Sequence, residues 1–71
     1  MVDLEKLKEA ISESGMTVTA ISEKSGILRA TLYNRLDGVG EFTASEIYRL
    51  GKAMRLTRDE LDEIFFAEKV E

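Results

Sequence analysis

The stretch that decides the fold is MTVTAISEKSGILRATLYNRLDG, residues 16–38. It holds two short segments of helical periodicity, at about 17–25 and 28–36, and Gly26 lies between them. Because glycine adopts a positive φ without steric cost, it commonly ends a helix. The pattern therefore predicts two helices of about two turns each, joined by three or four residues.

That spacing is typical of a helix-turn-helix, whose second helix can enter a DNA major groove. The two helices cross steeply in such a motif, and Ala20 and Ser22 are small enough for a close crossing. Ile27 can anchor the turn to the core. The second helix must bury one stripe and expose the opposite one. Leu32 and Leu36 supply the buried stripe, and the other face carries Arg29, Ala30, Tyr33 and Asn34.

Three further helices surround this motif. The first spans about 2–14, with Leu4, Leu7 and Ile11 on one face and Gly15 as its end. The fourth and fifth begin with capping boxes, Thr43-Ala-Ser-Glu46 and Thr57-Arg-Asp-Glu60. Gly51 lies inside the fourth helix, where it indicates a close backbone approach. The chain is thus expected to be all-α, one domain over residues 1–71 with a compact five-helix bundle, and residues 67–71 are expected to fray.

The composition excludes several classes of function. The chain has no Cys and no His, so it lacks thiolate and imidazole groups for metal binding or for nucleophilic and general-base catalysis. We expect no enzyme activity, no metal, no cofactor and no small-molecule substrate. No apolar run reaches the roughly 20 residues of a membrane span, and the charged N-terminus is unlike a signal peptide. The expected location is the cytoplasm, without a membrane partner.

The charge is acidic, with 10 basic and 14 acidic residues and a net charge of −4. Taken alone, this balance argues against a polyanionic partner. Residues 17–42, however, hold three basic side chains (Lys24, Arg29, Arg35) and three acidic ones (Glu23, Asp37, Glu41), a net of zero. The acids are concentrated toward both ends of the chain.

Residues 16–38 resemble the helix-turn-helix of phage lambda-repressor-like and Cro-like regulators. The continuation EFTASEIYRLGKAMRLTRDELDEIFFAEKV resembles small prophage-encoded members of that superfamily, and the similarity extends over about residues 4–70. The resemblance implies a lambda-repressor-like DNA-binding domain with its motif at about 17–36. It also implies a sequence-specific transcriptional regulator, of the phage or prophage repressor type, that binds double-stranded DNA at a pseudo-palindromic operator as a homodimer.

The resemblance also assigns roles to individual residues. The recognition helix would be about Leu28–Leu36. Its base-facing positions would be Leu28, Arg29, Ala30, Tyr33 and Asn34, although the Tyr33 ring could instead pack on the turn. Contacts to the DNA backbone would come from Thr17, Thr19, Lys24 and Arg35, although Arg35 could point sideways, and Asn34 could bind a phosphate in place of a base.

The sequence departs from the family pattern at three positions. Val18 stands where many members carry a Gln that bonds phosphate and braces the recognition helix. Ser25 stands where a core leucine is common, and Leu28 stands where Ser or Thr commonly caps the recognition helix. Together with the acidic charge, the missing Gln keeps an alternative open. In that alternative the chain is a protein-interaction module, antirepressor-like or antitoxin-like, with little DNA affinity.

The fifth helix carries the expected dimer interface. Leu61, Ile64 and Phe65 form its apolar face, and Phe66 lies about 100° further round. Because two adjacent phenylalanines cannot be equally buried in a monomer, we expect Phe66, beside Ile64, to form a two-fold contact.

Overall fold

The computed structural model describes residues 2–67, and in that range the chain is helical without a strand. The helices are α1 (Leu4–Ser14), α2 (Val18–Ser25), α3 (Arg29–Leu36), α4 (Ala44–Met54) and α5 (Arg58–Phe65). The Cα radius of gyration is 11.3 Å, close to the roughly 11 Å expected of a globular chain of this length. The all-α prediction with five helices is confirmed. Of the tail expected to fray, 67–71, all but Ala67 lies outside the described residues.

Side-chain caps set the start of four helices. Thr43 and Thr57 form the two complete capping boxes that the sequence predicts, each with the Glu three residues later. Thr17 caps α2 through a hydrogen bond from the Ala20 amide. The first helix begins at Leu4 and not at Val2, because the Asp3 carboxylate accepts from the Lys6 amide and makes Asp3 the N-cap.

Helices α2 and α4 both end in the left-handed region, but at different kinds of residue. Gly26 ends α2 with φ +74°, as expected of a left-handed cap position. The fourth helix ends differently, because Arg55 occupies the left-handed region with φ +56°. A non-glycine residue there carries a steric cost of roughly 1–2 kcal/mol. The amides of Arg55 and Leu56 bond back to the Lys52 and Gly51 carbonyls, so the end of α4 is still satisfied.

Every helix contributes to one hydrophobic core. Helix α2 packs against both α3 and α4, and α1 packs against α5. The fully buried side chains Leu7, Ile21, Leu32 and Leu50 come from the first four helices. The remaining buried apolar side chains are Ile27, Leu36, Met54, Ile64 and Phe65.

Three contacts fix α5 against the rest of the bundle. A Cβ atom at Gly51 would lie 3.1 Å from Leu61 Cδ2, so the group that closely approaches this glycine is the Leu61 side chain and not a backbone segment. The rings of Phe42 and Phe65 meet edge to face, with centroids 5.4 Å apart. At the end of α5 the Ile64 carbonyl accepts a 2.6 Å hydrogen bond from the Asp3 amide.

Within the described residues no helix has both the length and the apolar character to cross a membrane.

Candidate nucleic-acid interface

Helix α3 presents one buried and one exposed face. Leu32 and Leu36 lie in the core, as the sequence predicts. The five positions assigned to base contact are all exposed. They comprise the N-cap residue and four residues on the outer side of the helix: Leu28, Arg29, Ala30, Tyr33 and Asn34. Tyr33 is 50% exposed, so its ring is not packed away beneath the turn. The fold therefore brings these five residues together on one solvent-facing surface.

Two serine hydroxyls hold the connection between α2 and α3. The Ser22 hydroxyl donates to the Ile27 carbonyl. Ser25 is buried, donates to the Ser22 carbonyl at 3.4 Å and accepts from the Ile27 amide at 3.2 Å. A hydrocarbon side chain at position 25 could make neither bond. The departure from leucine at Ser25 thus replaces apolar packing by a pair of hydrogen bonds that fix the turn, and Ile27 anchors it in the core as expected.

The start of α3 has a different character from the other helix starts. Its N-cap residue is Leu28, and among the described residues no side chain caps the helix. Leu28 is 74% exposed, the most exposed of the large apolar side chains described. The first-turn amides of α3 and a bare leucine side chain therefore lie together at the edge of the exposed face.

Arg29 lies at the junction between α2 and α3. Its Nη1 donates a 3.3 Å hydrogen bond to Thr19 Oγ1, and both side chains are exposed. Thr19 is in the first turn of α2, so the bond joins the N-terminal ends of the two helices. The resemblance paired Thr19 with the DNA backbone, whereas in the free protein its hydroxyl faces the Arg29 guanidinium.

Thr17 and Lys24 lie at opposite ends of α2, and both are exposed. The Thr17 hydroxyl accepts from the Ala20 amide at 3.0 Å as the helix cap, and a hydroxyl that accepts one bond can still donate another. Lys24 is in the last turn of α2. Val18, between Thr17 and Thr19, packs against the core and offers no polar atom.

Arg35 does not belong to the exposed face. Its side chain is only 20% exposed, and Nε lies 3.4 Å from Glu46 Oε1. Nη1 also donates to the Val39 carbonyl at 3.3 Å. In the free protein the guanidinium thus ties α3 to the loop before α4 and to the Glu46 carboxylate of the α4 capping box, and the phosphate contact expected of Arg35 stays a prediction.

Arg49 is a cation near the turn that the sequence reasoning missed. It lies on α4 and is exposed, and its Nη1 donates to the Gly26 carbonyl at 3.4 Å. The interaction places a positive charge at the C-terminal end of α2, where the helix dipole favours one. The two residues are 23 positions apart. No local sequence signal links them, since their proximity follows from the packing of α4 on α2.

The two residues assigned to the dimer interface, Ile64 and Phe66, differ in their exposure to solvent. Ile64 is 3% exposed and belongs to the core. Its side chain therefore offers no surface for a dimer contact, and the expectation is corrected for this residue. Phe66 follows α5 and is 58% exposed. It borders an open groove of about 530 Å³, whose lining also includes Val2, Phe42 and Phe65.

In comparisons with known proteins, no protein-family model, curated protein or solved structure matches the chain. The interpretation of the α3 face therefore rests on the residues and contacts described above.

Proposed function

We propose that this chain is a sequence-specific DNA-binding transcriptional regulator of the helix-turn-helix type, with α3 as its recognition helix, and that it is not an enzyme. One observation carries the proposal. The five side chains assigned to base contact are exposed together on α3, while Leu32 and Leu36 on the same helix are buried. A short helix that is anchored by one apolar stripe and free along the other has the form needed to enter a major groove.

The exposed side chains supply complementary kinds of base contact. Arg29 can bond the O6 and N7 acceptors of a guanine in bidentate fashion, and Asn34 can do the same at the N6 and N7 edge of an adenine. Leu28 and Ala30 offer apolar surface for a thymine methyl group. Tyr33 adds a ring with one polar atom.

Backbone contacts would come from α2 and its surroundings. The Thr17 hydroxyl and the Lys24 ammonium are exposed on α2, and Arg49 adds a third group beside the turn. Because Arg35 is engaged with Glu46 in the free protein, we do not count it in this set. So few cations imply a modest dependence of binding on salt, since each neutralised phosphate contributes roughly one unit of slope.

A pseudo-palindromic operator would be bound by two copies of the chain. A dimer of the phage repressor type would place two α3 helices in half-sites about 34–36 Å apart. Phe66, directly after α5, is the exposed apolar side chain that suits the contact. Sedimentation of the wild-type chain and of a Phe66→Ala variant tests this, with a dimer expected only for the wild type at equal concentration. A wild-type chain that stays monomeric, also on operator DNA, would exclude the dimer.

The direct test is a selection of binding sites from random duplex DNA with the wild-type chain and with Arg29→Ala. We expect an enriched pseudo-palindromic site for the wild type. The Arg29→Ala variant should bind it about 1–3 kcal/mol more weakly and lose preference at one base of each half-site. Arg58→Ala, in the first turn of α5, is the matched control, because it removes the same charge at another helix. Equal selection profiles for all three proteins would overturn the role of Arg29.

A protein-interaction module is the second candidate. Leu28 and Tyr33 place considerable apolar surface on the exposed α3 face, and the net charge of −4 disfavours DNA. A gel shift at low salt separates the two functions. Absence of binding to both random and selected duplexes would favour the protein partner, whereas a shift at low salt favours DNA.

A further inference from the structure

The hydrogen bond from Arg29 to Thr19 joins two residues to which the resemblance assigns separate contacts, Arg29 to a base and Thr19 to the DNA backbone. Arg29 Nη1 lies 3.3 Å from Thr19 Oγ1, and ten positions of chain separate the two residues. Arg29 is the first residue of α3, and Thr19 is the second residue of α2. The guanidinium is therefore held back over the N-terminal turn of α2 in the free protein.

This bond leaves the arginine able to recognise a base. A guanidinium has five N–H donors in a rigid fork, and the contact with Thr19 uses one of the two on Nη1. Enough donors remain for a bidentate pair with guanine. An arginine has a long, flexible stem, and ordering it before binding lowers the entropy cost of the contact it later makes.

Among the described residues, Arg29 makes this bond with Thr19 and not with Thr17 or Val18. The hydroxyl of Thr17 already accepts from the Ala20 amide. Val18 has no polar side-chain atom and packs against the core. Of the three residues that open α2, Thr19 is the one whose hydroxyl faces α3.

We propose that Thr19 is a positioning residue for DNA recognition, which orients the Arg29 guanidinium and acts through it. This proposal rests on the proposed function, because it assigns the orientation of the side chain that reads the base. It differs from a direct phosphate contact by Thr19 in one measurable way. A positioning residue loses its effect when Arg29 is absent, whereas a phosphate contact keeps its effect.

The experiment is a double-mutant cycle on the duplex selected by the wild-type chain. Thr19→Val removes the acceptor with little change of shape, and Thr19→Ser is the control that keeps the hydroxyl. We expect Thr19→Val to weaken binding about threefold to tenfold, as for the loss of one exposed hydrogen bond, with Thr19→Ser close to the wild type. In the Arg29→Ala background the Thr19→Val change should alter affinity by less than about twofold.

A second measurement uses the free protein, where DNA plays no part. The Nε–Hε group of Arg29 is followed by NMR relaxation in the wild type, Thr19→Val and Thr19→Ser. We expect its order parameter to fall in Thr19→Val and to stay high in Thr19→Ser. Thermal unfolding shows whether each of the three proteins is folded. We expect all three to be folded, because Thr19 is exposed on the surface of α2.

The outcomes separate this inference from the proposed function. If the wild type selects a site but Thr19→Val weakens binding equally with and without Arg29, Thr19 contacts the DNA itself and the positioning role is overturned. Unchanged affinity and an unchanged Arg29 order parameter in Thr19→Val overturn it as well. If the wild type selects no site at all, the DNA-binding proposal fails, and the positioning role fails with it.

Discussion

Helices α3 and α5 have the same length, eight residues each, yet they begin in opposite ways. Helix α5 starts with a reciprocal capping box, in which Thr57 and Glu60 each satisfy the other's amide. Helix α3 starts at an exposed leucine without a side-chain cap among the described residues. Helix α5 is therefore stabilised by its local sequence, whereas α3 depends on tertiary contacts.

The tertiary contacts of α3 are concentrated on its inner side. Ile27, Leu32 and Leu36 are buried, and the Ser22 and Ser25 hydroxyls hold the turn that leads into the helix. The difference between the helices shows how a short helix can be kept in place while its first turn and outer face stay open. On the proposed function, that open end is the part that meets the DNA.

Removing a buried side chain that anchors α3 should cost more stability than any change to a helix cap. Leu32→Ala should lower the free energy of unfolding by about 2–5 kcal/mol, because it opens a cavity at a fully buried site. Leu28→Ala on the same helix changes an exposed side chain and should stay within about 0.5 kcal/mol of the wild type. Urea unfolding followed by circular dichroism measures both. A similar loss for the two variants would show that Leu28 also anchors the helix.

A smaller effect tests the local stabilisation of α5. Thr57→Ala removes the hydroxyl that accepts from the Glu60 amide and should cost about 1 kcal/mol, within a range of roughly 0.5–2 kcal/mol. Thr57→Ser keeps the hydroxyl and should retain most of the stability. If Thr57→Ala unfolds at the wild-type urea concentration, the capping box contributes nothing and the contrast with α3 disappears.

Much of this architecture follows from local sequence. The boxes at Thr43 and Thr57, the glycine end of α2 and the spacing of Leu32 and Leu36 depend on residues within one turn of each other. Such short-range patterns are visible in the sequence. The burial of Phe65 beside the exposure of Phe66 is also local, because adjacent helical residues point about 100° apart.

The features that the sequence did not show depend on packing between helices. Arg35 and Glu46 are eleven positions apart, and either could face solvent on its own helix. Only the placement of α4 beside α3 brings the guanidinium to the carboxylate. The proximity of Arg49 to Gly26 has the same origin. The exposed α3 face was predictable by residue, while the groups that border it were not.

A serine at position 28 would give α3 the side-chain cap that it lacks. Leu28→Ser should raise the free energy of unfolding by about 0.5–1 kcal/mol, because a serine at the N-cap can accept from a first-turn amide. The matched control is Leu28→Ala, which removes the leucine without adding an acceptor. If Leu28 contributes to base recognition, Leu28→Ser also binds the selected DNA more weakly while being more stable. If Leu28→Ser is no more stable than Leu28→Ala, packing alone determines where α3 begins. If Leu28→Ser is more stable but binds the selected DNA more weakly, the wild-type chain gives up the stability of a capped helix in order to keep a leucine that contacts DNA.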